Sequence, residues 1–177
     1  VECIQARVVR DLTALTVDNM TVAAPVIAVG RFDGYRATRW NTPDASRPRS
    51  ARDGAILERP MEIAVTTLLR GEPAAFTNAV HSGGELGCDY VFFNDDRALD
   101  VGARYLLFLS PVSDSDGVLR GKHGLMDAWP ILEGNIVRTC RDGDLPLTEL
   151  IAAVNSRPYT GQWSGNIIYG SPCDNPI

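Results

Sequence analysis

Four cysteines, two histidines and a run of arginines are the side chains of this sequence whose types and spacing could do chemistry. The cysteines stand far apart, at Cys3, Cys88, Cys140 and Cys173. No two of them make the Cys-x-x-Cys half-site of a zinc centre or a dithiol redox motif. Such wide spacing, with two cysteines near the ends, fits two disulfides and an oxidising compartment. Four cysteines allow three pairings, and spacing does not choose among them. Cys3 with Cys88 would tie an N-terminal arm to the body and leave Cys140 with Cys173 to hold the tail; Cys3 with Cys140 competes with it. His81 stands near Glu85 and Asp89, and His123 near Asp127. With Cys88 they could make a thiolate–imidazole pair or a zinc set. An oxidised Cys88 removes both chemistries, so the sequence predicts no catalytic residue, no metal and no cofactor. It also lacks G-x-S-x-G, H-E-x-x-H and the Gly-rich phosphate loop. The oxygen-rich stretches Asn94-Asp95-Asp96 and Asp114-Ser115-Asp116-Gly117 lack full calcium spacing and read as turns.

Seven arginines fall between Arg31 and Arg59, with Tyr35 and Trp40 among them. Residues 41–55 are rich in Pro, Ser, Asp and Gly, and form a loop long enough to suggest function. The candidate binding residues, for a protein or acidic glycan, are Arg36, Arg39, Trp40, Arg47, Arg49 and Arg52; the competing reading is a solvated loop. A second aromatic group, Trp129, Tyr159, Trp163 and Tyr169, reads as packing between the tail and the body. Arginines and lysines number 17 against 22 acids, a net charge of −5. That balance argues against nucleic acid and anionic membranes as partners, so a protein partner is expected. No apolar run reaches the ~20 residues of a membrane helix. No signal peptide is visible, and the start at Val1-Glu2-Cys3 suits a chain from which an export signal has been removed.

The elements that must position these residues follow from periodicity. With 45% hydrophobic residues the chain can bury a core without relying on its cysteines. Thr16 caps a short helix to residue 24, which Pro25 ends. Val26 to Phe32 is a β-branched apolar strand continuing toward Arg39. Strands are predicted for Glu58–Leu69, Ala75–His81 and Arg104–Leu109. Asp114 to Gly117 turns the chain into Val118–Lys122, and Glu133-Gly134 joins strands at Leu125–Leu132 and Asn135–Thr139. Residues 146–156 form a helix with Leu147, Leu150, Ile151 and Val154 on one stripe, and 157–177 is a tail held by Cys173. The order predicts one all-β domain over 1–177. Its core is a five- to six-stranded Greek-key barrel over about 25–140, with a short N-terminal and a C-terminal helix.

Several segments resemble bacterial secreted proteins with a TIMP-like (netrin-like) OB fold. They are Val26-Ile27-Ala28-Val29-Gly30-Arg31-Phe32, Ile63 to Gly71, Gly83-Gly84-Glu85-Leu86-Gly87-Cys88, Val101 to Leu109 and the helix from Pro146 to Val154. Their order and spacing cover roughly residues 16–156. The resemblance implies a secreted or envelope-held domain with an OB-type barrel. Animal members inhibit metalloproteases by chelating zinc through an N-terminal cysteine. Here Val1 and Glu2 precede Cys3 and the Cys-x-Cys start is absent, a departure from that pattern. The expected function is a non-catalytic extracytoplasmic module that binds a protein through the Arg31–Arg59 loop and the N-terminal arm. The alternative is a TIMP-like protease inhibitor acting through the N-terminal segment, and after it a hydrolase using His81 or His123.

Overall fold

A computed structural model describes residues 2–8, 16–50, 54–93 and 97–161. Five strands close on one another: β2 (Val26–Tyr35), β4 (Leu57–Arg70), β5 (Ala79–Ser82), β8 (Arg104–Ser113) and β9 (Leu119–Leu132). Around the ring the order is β2, β4, β5, β9, β8 and back to β2; β5–β9 is the parallel pair and the others are antiparallel. Closure leaves none of these five as a free edge. This is the all-β barrel with flanking helices that the sequence predicts.

The remaining strands decorate the ring. A short β3 (Arg39–Trp40) pairs with the start of β4. β10 (Ile136–Arg138) extends from the end of β9, and β11 (Asp144–Pro146) pairs with β10. Apart from the barrel lies a three-stranded sheet of β1 (Gln5–Val8), β7 (Asp89–Phe93) and β6 (Gly84–Leu86), with β1 parallel to β7. The sequence reads this region only as an arm and a cysteine turn. The expected third strand, Ala75–His81, is half right. Pro73–Phe76 is a 3-10 turn, and the strand begins at Ala79. Pro73 suits the first turn of a helix, and the Thr77 hydroxyl donates to the Ala74 carbonyl at 2.8 Å.

Three apolar layers follow from side-chain alternation. Val26, Ala28 and Phe32 of β2 meet Tyr105, Leu107 and Leu109 of β8, together with Met61, Ala79 and Ala128, to fill the barrel. Ile27 and Val29 point the other way, with Leu106, Phe108 and Trp129. They are covered by α1 (Val17–Ala23) and α2 (Leu147–Ser156) through Met20, Leu150 and Val154. β2 and β8 are thus buried on both faces, which is why they read as unbroken apolar runs rather than alternating ones. Gly30 sits where a Cβ would stand 3.0 Å from Ile63 and 3.3 Å from Leu107, beside a register shift between β2 and β4. The third layer, Ile4, Trp40, Ala55, Leu57, Val91 and Phe93, joins the small sheet to the barrel.

The two helices are fastened at their ends. Thr16 caps α1 by accepting from the Asn19 amide at 3.2 Å, and the Asp142 carboxylate accepts from the Val17 amide at 2.7 Å. At the other end Arg70, at the close of β4, donates to the Thr21 and Ala24 carbonyls of α1 and to the Val154 and Arg157 carbonyls of α2. It supplies donors to the last turns of both helices, whose carbonyls lack intrahelical partners. No helix among the described residues is long and apolar enough to cross a membrane.

Candidate functional site

The Cys88 turn is the hub of the small sheet. Cys3 and Cys88 form a disulfide that joins residues 85 apart. Asp89, next in the chain, is buried. Its Oδ1 accepts from the Ile4 amide at 2.8 Å and from Arg47 Nη2 at 2.8 Å, while Oδ2 accepts from Arg47 Nε at 2.6 Å. The same Arg47 donates to the Glu2 carbonyl at 2.7 Å. Arg47 holds the Asp89 carboxyl below the usual carboxylate range, helped by the Ile4 amide. Three distant segments, the N-terminal arm, loop 41–50 and the cysteine turn, therefore meet at one carboxylate.

The outer face of this sheet is aromatic. On β7 the inward residues are Asp89, Val91 and Phe93, and the outward ones are Tyr90 and Phe92. Their rings stack with centroids 6.3 Å apart at 13°. Arg7 of β1 lies opposite Phe92, with its guanidinium 6.0 Å from the ring centroid. Phe92 is 37% exposed and Leu86, at the turn, 41%. Exposed aromatics beside arginine form the residue set enriched in protein interfaces. Nothing in the sequence but the alternation of Asp89-Tyr90-Val91-Phe92-Phe93 signals this face.

The arginine loop divides. Arg36 pairs with Glu62 at 3.0 Å and Arg39 with Glu58 at 3.0 Å; Arg47 is the Asp89 brace. Arg49 is exposed and has no ion pair among the described residues, and Arg52 lies outside them. Trp40 is the correction. It is 1% exposed in the third apolar layer, so it offers no ring face for stacking. Its neighbour Arg39 begins a chain of charges: Glu58 to Lys122 at 2.8 Å, Lys122 to Asp114 at 2.6 Å, Asp114 to Arg120 at 2.7 Å and Arg120 to Asp116 at 2.6 Å. Lys122 is only 4% exposed; lysine is buried so fully only when paired. Hydrogen bonds from Lys122 and then Arg120 lower the Asp114 carboxyl, and Arg120 lowers exposed Asp116 to about 2.

The two histidines stay apart in their bonding. Tyr35 and His81 share a hydrogen bond at 2.6 Å, and Arg59 lies 4.8 Å from the centre of the Tyr35 ring. His123 Nδ1 is 3.3 Å from the Gly121 carbonyl. Two of the three carboxylates expected beside them have other partners. Asp89 serves Arg47 and Ile4, and Asp127 accepts from Arg97, the Ala128 amide and the Trp129 indole at 2.6–2.8 Å. Burial pushes the Asp127 carboxyl up while Arg97 opposes the shift. Among the described residues no three His, Cys, Asp or Glu side chains gather as a metal site. Cys88 is oxidised and Cys140 is a buried disulfide cysteine; its expected partner Cys173 lies outside the described residues, as do Trp163 and Tyr169. Trp129 belongs to the core, T-stacked on Phe108, and Tyr159 is half exposed.

No protein-family model matches the chain, and no curated protein is significantly similar to it.

Proposed function

We propose that this chain is a non-catalytic extracytoplasmic module that binds a protein partner through the outer face of the β1–β7–β6 sheet, with Arg49 and loop 41–50 at its margin. The observation that carries the reading is the stacked Tyr90–Phe92 pair with Arg7 alongside, exposed on a sheet that a disulfide and a buried carboxylate hold rigid. A rigid aromatic anchor loses little conformational entropy on binding, and aromatic and arginine side chains dominate binding hot spots. The Cys3–Cys88 bond is compatible with an oxidising compartment, in keeping with secretion or residence in a cell envelope.

The test is co-purification from the native envelope with tagged wild type beside Phe92→Ala and Arg7→Ala. The expected result is a protein retained by wild type and lost from both variants. A partner retained equally by all three would remove the aromatic face from consideration. A second reading, protease inhibition by the N-terminal segment, rests on the same clamp, which ties Glu2, Cys3 and Ile4 to Arg47, Cys88 and Asp89. Titrating metalloproteases and serine proteases with the oxidised protein tests it, since a true inhibitor gives stoichiometric loss of activity that reduction of Cys3–Cys88 relieves.

A further inference from the structure

A cleft is built on loop 41–50, the loop that borders the aromatic face. It encloses ≈ 290 Å³ between loop 42–45 on one wall and Arg120 of the β8–β9 hairpin on the other, with Lys122 and Asn78 among its lining residues. At ~30 Å³ per water it has room for about ten waters, near the lower end of small-ligand sites. Three cationic residues line it, Arg39, Arg120 and Lys122, and three acidic ones, Asp44, Glu58 and Asp114. Their formal charges cancel. The three cations are already paired with Glu58, Asp114 and Asp116, so an anion entering here would compete with existing ion pairs; Asp44, the lining acid outside those pairs, accepts from Ser46.

Hydrogen-bonding capacity is what remains unused. Arg39 spends its Nε on Glu58, and its two outer nitrogens have no protein partner among the described residues. Lys122 bonds Glu58 and Asp114, leaving its third hydrogen. The Asn78 side-chain amide has no protein partner there either, although its backbone carbonyl accepts from the His123 amide. Both Ser46 bonds to Asp44 fall on Oδ1, leaving Oδ2 clear of them. Donors and acceptors thus face the same small space. A hydroxyl group, which both gives and accepts, matches such a lining better than a carboxylate or an ammonium.

The wall is preformed. Ala45 adopts a φ of +60°, a left-handed conformation that non-glycine residues seldom take. Local bonds hold it there: the Ala45 amide to the Thr42 carbonyl at 3.0 Å and the Thr42 hydroxyl to the Ser46 carbonyl at 2.7 Å. The hairpin is joined to this loop by the Ser115 amide, which donates to the Asn41 carbonyl at 2.9 Å. Uncommon backbone conformations that their surroundings enforce gather at ligand sites.

We infer that this cleft is a separate binding site for a neutral sugar ring, recognised by edge hydrogen bonds rather than by aromatic stacking. The test is amide-resolved NMR titration of the intact oxidised protein with the methyl glycosides of glucose, galactose, mannose and N-acetylglucosamine. Sodium acetate and methylammonium serve as charged probes. At least one glycoside should give saturable shifts centred on Ala45, Asn78 and Lys122, with a Kd of roughly 1 mM. Asn78→Ala and Asp44→Asn should each weaken it about tenfold, the loss of one hydrogen bond to a charged or polar group. Asp44 is exposed, so its variant keeps the test valid if Asn78→Ala fails to fold. Phe92→Ala should leave the affinity unchanged, which separates this site from the protein-binding face. Saturation by none of the four glycosides, tighter binding of either charged probe, or shifts outside the cleft would overturn the inference.

Discussion

The barrel and the three-stranded sheet beside it are held by different forces. In the barrel, β2 and β8 are covered on both sides by apolar side chains, and Leu106, Leu107, Leu109 and Trp129 are fully buried. The small sheet has one apolar face, against Trp40 and Leu57, and leaves its other face in water. What that layer lacks in burial is supplied by a disulfide, a buried aspartate and an arginine brace. The barrel's residues are committed to stability on both sides. The outer side chains of the sheet, Arg7, Tyr90 and Phe92, touch one another but belong to none of the three apolar layers.

If this division is right, perturbations should rank accordingly. Trp129→Ala removes a fully buried ring stacked on Phe108, and its indole N–H bond to Asp127 at 2.8 Å. Chemical denaturation should record a loss of about 3–5 kcal/mol. Lys122→Ala takes a buried cation from two carboxylates that keep Arg39 and Arg120, and should cost about 3 kcal/mol, the low end for breaking a buried pair; adding Glu58→Gln should recover part of it. Cys3→Ser with Cys88→Ser opens a long loop and should cost about 2–4 kcal/mol. Its mark in hydrogen exchange should be local, with the Tyr90 amide, bonded to the Ile4 carbonyl at 2.8 Å, deprotected while β8 stays protected. Phe92→Ala should change stability by no more than about 0.5 kcal/mol while abolishing partner binding.

Acid titration sharpens the same contrast. Arg47 and the Ile4 amide lower the Asp89 carboxyl in the fold. Its contribution is therefore present above the unfolded value near 3.8 and is lost as pH falls through the lower folded value. Asp127 is raised by burial, so its contribution has the opposite sign: full below 3.8 and lost as pH rises through the raised folded value. Denaturation curves between about pH 2 and 6 should show Asp89→Asn flattening the acid-side fall in stability and Asp127→Asn steepening the net rise with pH. The same slope change in both variants would contradict the assignment.

Much of the barrel was legible because double-sided burial writes long apolar runs. Val26 to Phe32 and Arg104 to Leu109 read directly as strands, and Thr16, Pro25 and the Leu147–Leu150–Val154 stripe placed both helices within a residue or two. The small sheet was not legible in the same way. β6 and β1 are short, and β1 joins the sheet by a parallel contact between residues 85 apart, which local pattern does not encode. The arginine loop misled for a related reason. Arginines look alike in sequence whether they face solvent or a carboxylate, and the partners Glu58, Glu62 and Asp89 come from elsewhere in the chain. Trp40 reads as a binding residue in the sequence because its cover, Ile4, Val91 and Phe93, arrives with the sheet that the sequence hid.

Arg70 bears on how the molecule comes apart. One guanidinium terminates a helix near the start of the chain and another more than a hundred residues later, from the last position of a barrel strand. The two helices therefore share a fastening, which the Arg157–Asp18 ion pair reinforces. Removing it should loosen both against the wall they cover, at the apolar layer of Met20, Leu150 and Val154. The outer shell should come off as one cooperative unit rather than helix by helix, with β4 as its hinge.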